Sequence, residues 1–125
     1  MTDRKLTGLD KILTQLDQGL RTAFSSAPLP ERKSPADTIA DTNLNDEDRA
    51  HTIGLMRVNH TGEVCAQALY QGQALTAKLP NVRTKMQLSA DEEIDHLAWC
   101  EERLKQLNGR TSYLNPLWYL SLIHI

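Results

Sequence analysis

The sequence Glu93-Ile94-Asp95-His96 sets a carboxylate and an imidazole three residues apart. On a helix that spacing turns the two side chains about 60° from one another on one face, close enough to share an ion. Alone the pattern is weak, since Glu-x-x-His recurs by accident in many helices. Its position gives it weight. The seam of the surrounding segment runs Met86, Ala90, Glu93, Leu97, Cys100, Leu104 and Leu107, in alternating steps of four and three. A carboxylate in the middle of such a seam is costly, because a desolvated charge must be paired or must bind a metal. Glu92, Glu101 and Glu102 show that solvated positions for acidic residues were available on the same segment.

A second seam, Ile53, Met56, His60, Glu63, Gln67, Tyr70 and Ala74, keeps the same spacing with its polar residues at the centre. Glu63 stands 17 residues before Pro80 and Glu93 stands 13 after it. Two antiparallel helices joined by a turn at Pro80 bring these carboxylates to similar depth, with His96 as a third donor. Gly62, beside Glu63, would permit close helix approach at a modest cost in helix propensity. Asp95 is a candidate to accept an imidazole N–H, although an exposed aspartate is the plainer expectation. One Glu from one helix and a Glu-x-x-His from its neighbour form half of a carboxylate-bridged di-iron or di-manganese site of ferritin-like bundles. The alternative is a pair of buried glutamates tied to Arg57 or Arg103, with His96 an ordinary core histidine. The spacing leaves both open.

The elements that must position these residues are helices. Asn45 is a candidate N-cap, followed by Asp46, Glu47 and Asp48 where the helix dipole favours negative charge. That helix should run to about Lys78, before Leu79-Pro80. A second should start near Asn81 and stop at Asn108-Gly109. The short connection makes them antiparallel neighbours. Pro116 is placed to open a third helix, whose Trp118 and Tyr119 suit either a membrane interface or core packing. Upstream, Leu9, Ile12, Leu13, Leu16, Leu20 and Phe24 give residues 5–24 one amphipathic helix, whose partner is the bundle, another protein or a membrane surface. Residues 25–44, with Pro28, Pro30 and Pro35, read as a linker that cannot bury a core. The fold class is all-α: the first half of a ferritin-like four-helix bundle over 45–120, preceded by an amphipathic helix and linker over 1–44.

The 125 residues suffice for one small domain. Fourteen basic against sixteen acidic side chains exclude a nucleic-acid footprint. Cys65 and Cys100 form no CxxC pair, and a disulfide framework is not expected. The N-terminus has no apolar signal region, and no stretch reaches the roughly 18 apolar residues that span a bilayer. Asn59-His60-Thr61 matches the glycosylation sequon by chance.

Three runs in order carry a resemblance: Arg57-Val58-Asn59-His60-Thr61-Gly62-Glu63-Val64-Cys65-Ala66, then Asp91-Glu92-Glu93-Ile94-Asp95-His96-Leu97, then Asn115-Pro116-Leu117-Trp118-Tyr119. Together they resemble the demethoxyubiquinone hydroxylase family, ferritin-like di-iron monooxygenases of ubiquinone biosynthesis. The resemblance implies that Glu63 binds one iron, Glu93 bridges both, and His96 completes the first iron's protein ligands. It further implies two iron ions per complete site and a polyprenylated methoxy-methyl-benzoquinol as substrate. Molecular oxygen and two electrons would add the ring hydroxyl. The implied location is peripheral, on the cytoplasmic face of a bacterial inner membrane. Other ferritin-like activities, ferroxidase or peroxide reduction, and a non-catalytic helical interaction module are the alternatives.

Family members continue through two more long helices bearing a further Glu and a second Glu-x-x-His. This sequence does not contain them, and Leu120-Ser121-Leu122-Ile123-His124-Ile125 resembles the translation of a transposon end used in DNA library preparation. Residues 121–125 are therefore expected to be a non-native tail, with His124 not a ligand. A single chain is expected to have little or no activity, and a homodimer would pair two half-sites.

Overall fold

In the computed structural model, residues 6–24 and 26–125 are described; Lys5 and Ser25, at the bounds of the expected first helix and linker, lie outside them. Among the described residues four helices make up the framework: α1 (Gly8–Phe24), α2 (Asp46–Thr76), α3 (Pro80–Gln106) and α4 (Asn115–Ile123). No strand occurs among the described residues. The chain is all-helical, as its periodicity predicts.

The local chemistry sets the helix ends. Asn45 caps α2, its side chain accepting from the Asp48 N–H at 2.8 Å. Pro80 opens α3 at a position where its missing N–H has no intrahelical partner to lose. At the other end Asn108 takes the left-handed conformation with φ 60°, the Gly109 N–H donates to Leu104 O, and the Asn108 N–H donates to Lys105 O. That pair of bonds is a Schellman stop. Thr7 and Asp10 cap α1 reciprocally, Thr7 N–H to Asp10 Oδ2 at 2.8 Å and Asp10 N–H to Thr7 Oγ1 at 3.2 Å.

Helices α2 and α3 form the expected antiparallel pair, and α4 returns to lie on α2, with α1 against α4 and α2. The small core joins Val64 and Ala68 of α2, Leu97 of α3 and Tyr119 of α4. Tyr119 is the core residue of the Trp118-Tyr119 pair, its hydroxyl donating to Gln71, whereas Trp118 is exposed. α4 extends through Ile123 into the segment read as a tail, and Leu122 and Ile123 pack against the core.

Three expectations are corrected. The apolar stripe of α1 does not pack on the bundle: Leu9, Ile12, Leu13, Leu16, Leu20 and Phe24 are 54–71% exposed. The helix docks instead by its small residues, because Gly19 lets the Tyr119 ring lie against the backbone, with a Cβ there only 2.9 Å from the Tyr119 hydroxyl. Gly62 faces open space, so close approach falls to Gly72, which meets the Ile123 carbonyl, and to Gly109, which meets Ile53. Residues 26–44 are not a free linker. They lie along α3 as a strap, with the Ala27 N–H donating to Glu101, the Glu31 N–H to Asp95, and Arg103 forming a two-pronged pair with Asp41.

Candidate metal centre

Glu63 sits midway along α2, and Glu93 and His96 lie on the facing side of α3. The structure brings all three together. His96 Nδ1 lies 3.1 Å from Glu93 Oε2 and 3.8 Å from Glu63 Oε2. One donor atom from each residue falls within 4.8 Å of the other two. The side chains are half-buried, with Glu93 the most enclosed and His96 the most open.

Burial places two carboxyls where repulsion is poorly screened. The Glu63 carboxyl is pushed up to about 8, chiefly by burial and further by its hydrogen bond with Glu93 and that residue's charge. The arginines that would have neutralised the pair are committed elsewhere. Arg57 donates to the Arg110 carbonyl at 2.9 Å, and Arg103 holds Asp41. Among the described residues neither Glu63 nor Glu93 has a basic partner other than His96. Two oxygens and an imidazole nitrogen, short of positive charge, fit a divalent transition metal such as iron.

The neighbours sort differently from their sequence positions. His60, in the α2 seam, is buried and held neutral, burial pulling its pKa down. Its Nδ1 faces the Asn115 amide at 3.3 Å, while Thr61 donates to Asn115 Oδ1 at 3.0 Å, so this pair fastens α4. Cys100, one turn beyond His96, is a protonated thiol, pushed up to about 11 by burial and by the Glu63 charge. Both cysteines are free. Asp95 is neither exposed nor a partner of the imidazole. It is buried and turned to the strap, where hydrogen bonds from Arg32 and the Glu31 N–H hold its carboxyl below the ordinary range. His124 is exposed at the end of α4, its Nδ1 facing the Leu120 carbonyl. Sequence reasoning passed over Trp99, whose ring lies 5.3 Å from that of His96, centre to centre. Its i+3 spacing from His96 was the available signal.

The sequence model of the family "ubiquinone biosynthesis protein COQ7" matches residues 50–124, which contain all three donors. The chain belongs to that family. Curated relatives support the assignment. The 3-demethoxyubiquinol 3-hydroxylase of Acinetobacter baumannii is 60% identical over 116 residues, covering 93% of this chain and 54% of the relative. That of Ectopseudomonas mendocina is 57% identical over 118 residues, covering 94% and 55%. The enzyme of the same name from Pseudomonas putida shows the same identity and coverage. The chain thus spans about half the length of the curated relatives it matches. No solved structure matches.

Proposed function

We propose that the chain supplies half the ligands of a di-iron centre that hydroxylates a demethoxyubiquinol, with Glu63, Glu93 and His96 as those ligands. The observation that carries the reading is the convergence of these three donors with no arginine or lysine paired to them among the described residues. When bound, the iron pair would supply activation of molecular oxygen with two electrons from a reductant. The protein's own part is narrower. Glu93, the most enclosed, and Glu63 would hold the metal, and Glu63 would release its proton to do so. His96 offers Nδ1, the nitrogen already turned to both carboxylates. The substrate, by the relatives' printed name, is a quinol.

A full centre of this class needs four carboxylates and two imidazoles. In a protein of the relatives' length the rest of the chain would complete the set; for this chain alone a second copy would do so. Anaerobic Fe(II) titration followed by sedimentation tests this. The expected result is iron-dependent dimers that E63Q and E93Q each abolish, and less than one iron per two chains overturns it. Quinol hydroxylation is then assayed on a protein of the relatives' length. Iron oxidation without ring hydroxylation would favour a ferroxidase instead.

The outward apolar stripe of α1 supports peripheral attachment to a membrane surface, where a lipid quinol would reside, and the cytoplasmic face of an inner membrane is the proposed location. No helix among the described residues is long and apolar enough to cross a bilayer. Co-flotation with phosphatidylethanolamine–phosphatidylglycerol vesicles, lost in F24E, is the expected behaviour; flotation unchanged by F24E argues against it.

A further inference from the structure

A ligating imidazole is ordinarily held in plane by a hydrogen bond to its second nitrogen. His96 has none among the described residues: its one hydrogen-bond contact is from Nδ1 to Glu93. The rotation of the ring about its Cβ–Cγ bond is intrinsically soft. Asp95, the adjacent acceptor, is turned away into the strap. What touches the His96 ring is the indole of Trp99, tilted 40° to it at 5.3 Å.

Trp99 is itself gripped. Its Nε1–H donates to the Arg32 carbonyl at 3.2 Å, and the Arg32 guanidinium lies 5.5 Å from its ring centre. Arg32 in turn donates through Nε to Asp95 Oδ2 at 2.6 Å, and Asp95 Oδ1 also accepts the Glu31 N–H at 2.8 Å. The strap residue therefore fixes the indole from its edge and its face, and Asp95 fixes the strap residue. Trp99 and Cys100 also line a cavity of about 590 Å³ between the strap and helices α2 and α3.

We propose that Trp99, clamped by Arg32 and Asp95, is a positioning residue for the His96 imidazole, substituting a tilted ring packed beside it for the missing hydrogen bond. The relay runs from buried Asp95 to Arg32, to the indole and to the ligand. Its purpose rests on the metal reading above, although the clamp itself is a property of the metal-free chain. It also accounts for the strap, which sets only Ala27 against the apolar core and yet is tied to the segment of α3 that carries the Glu-x-x-His pair.

Two measurements on W99L, W99F and R32M test it. Co(II) binding, followed by visible absorption, is expected to weaken about 10- to 100-fold in W99L, the range for losing an outer partner of a ligating imidazole. W99F, which keeps a ring, should retain most of the affinity, and R32M should fall between them. R32M changes a half-exposed strap side chain, so it remains informative if W99L fails to fold. In EDTA, the His96 ring protons should carry a ring-current shift from the indole, lost in W99L and reduced in R32M. W99L or R32M titrating like the wild type, or wild-type His96 shifts that R32M does not move, would overturn the proposal. A wild-type chain with the ring-current shift but no Co(II) uptake overturns the metal reading while supporting the clamp.

Discussion

The two segments that precede the α2–α3 pair make opposite use of their sequences. α1 has the cleanest apolar periodicity in the chain, yet it touches the bundle through Gly19, Thr22 and Ala23 and leaves its leucines in the open. The strap over residues 26–44 has no period at all, yet it is fastened to α3 at Glu101, Asp95, Trp99 and Arg103. Apolar periodicity states that a face needs a partner and does not say which. Polar fastening is silent in periodicity, because a backbone N–H exists at almost every residue and its acceptor can lie 64 positions away, as Asp95 does from Glu31.

The strongest way to break this contrast is Asp95→Ala. Removing a buried acceptor of both the Glu31 N–H and the Arg32 guanidinium is expected to cost about 1–3 kcal/mol in urea unfolding. A loss near zero would return the strap to the status of a loose connection. The pH dependence sharpens the point. The folded chain holds the Glu63 carboxyl at about 8 against an ordinary 4.5, so the native state keeps a proton that the unfolded chain releases between those values. In EDTA, stability should therefore fall as pH rises from 4.5 towards 8, and E63Q should flatten that fall. Asp95 has the opposite sign. Its carboxyl is lowered from 3.8, so its contribution is present above that value and is lost on acidification through the folded-state pKa. D95A should lower the stability curve at neutral pH while leaving the Glu63-dependent slope.

Smaller effects separate the glycines. Gly19→Ala drives a methyl against the Tyr119 hydroxyl and should lose about 1 kcal/mol net, after the helix-propensity gain. Gly62→Ala meets nothing and should gain up to about 1 kcal/mol. Thermal melts of the two variants should move in opposite directions. The smallest effect belongs to Leu16→Glu, which should stay within about 0.5 kcal/mol of the parent because the side chain is already exposed. A large loss would mean that the α1 stripe is buried in solution.

Much of the centre was legible because its signal is local and periodic. Asn45, Pro80 and Asn108 mark helix ends through their own backbone chemistry, and a glutamate in an apolar seam is conspicuous whatever surrounds it. The level at which Glu63 and Glu93 meet followed from counting residues either side of one turn. The remainder was hidden because it depends on pairs distant in the chain. Nothing about Gly62 distinguishes it from Gly72 until α4 is placed, and nothing about Asp95 shows that Arg32 will return to it. The outward turn of α1 is hidden for the same reason, since it depends on Tyr119 of α4 lying against the backbone at Gly19.

Gly72 carries one more consequence. A Cβ there would lie 2.6 Å from the Ile123 carbonyl oxygen and 3.4 Å from its carbonyl carbon, both atoms of the main chain. Every residue type brings those same two atoms, so the notch at Gly72 reads the shape of the α4 terminus and is blind to spelling. Position 123 must be helical, and aliphatic enough to rest against the small core. Isoleucine is one of several answers, and a different run of letters after Tyr119 would seat in the same groove.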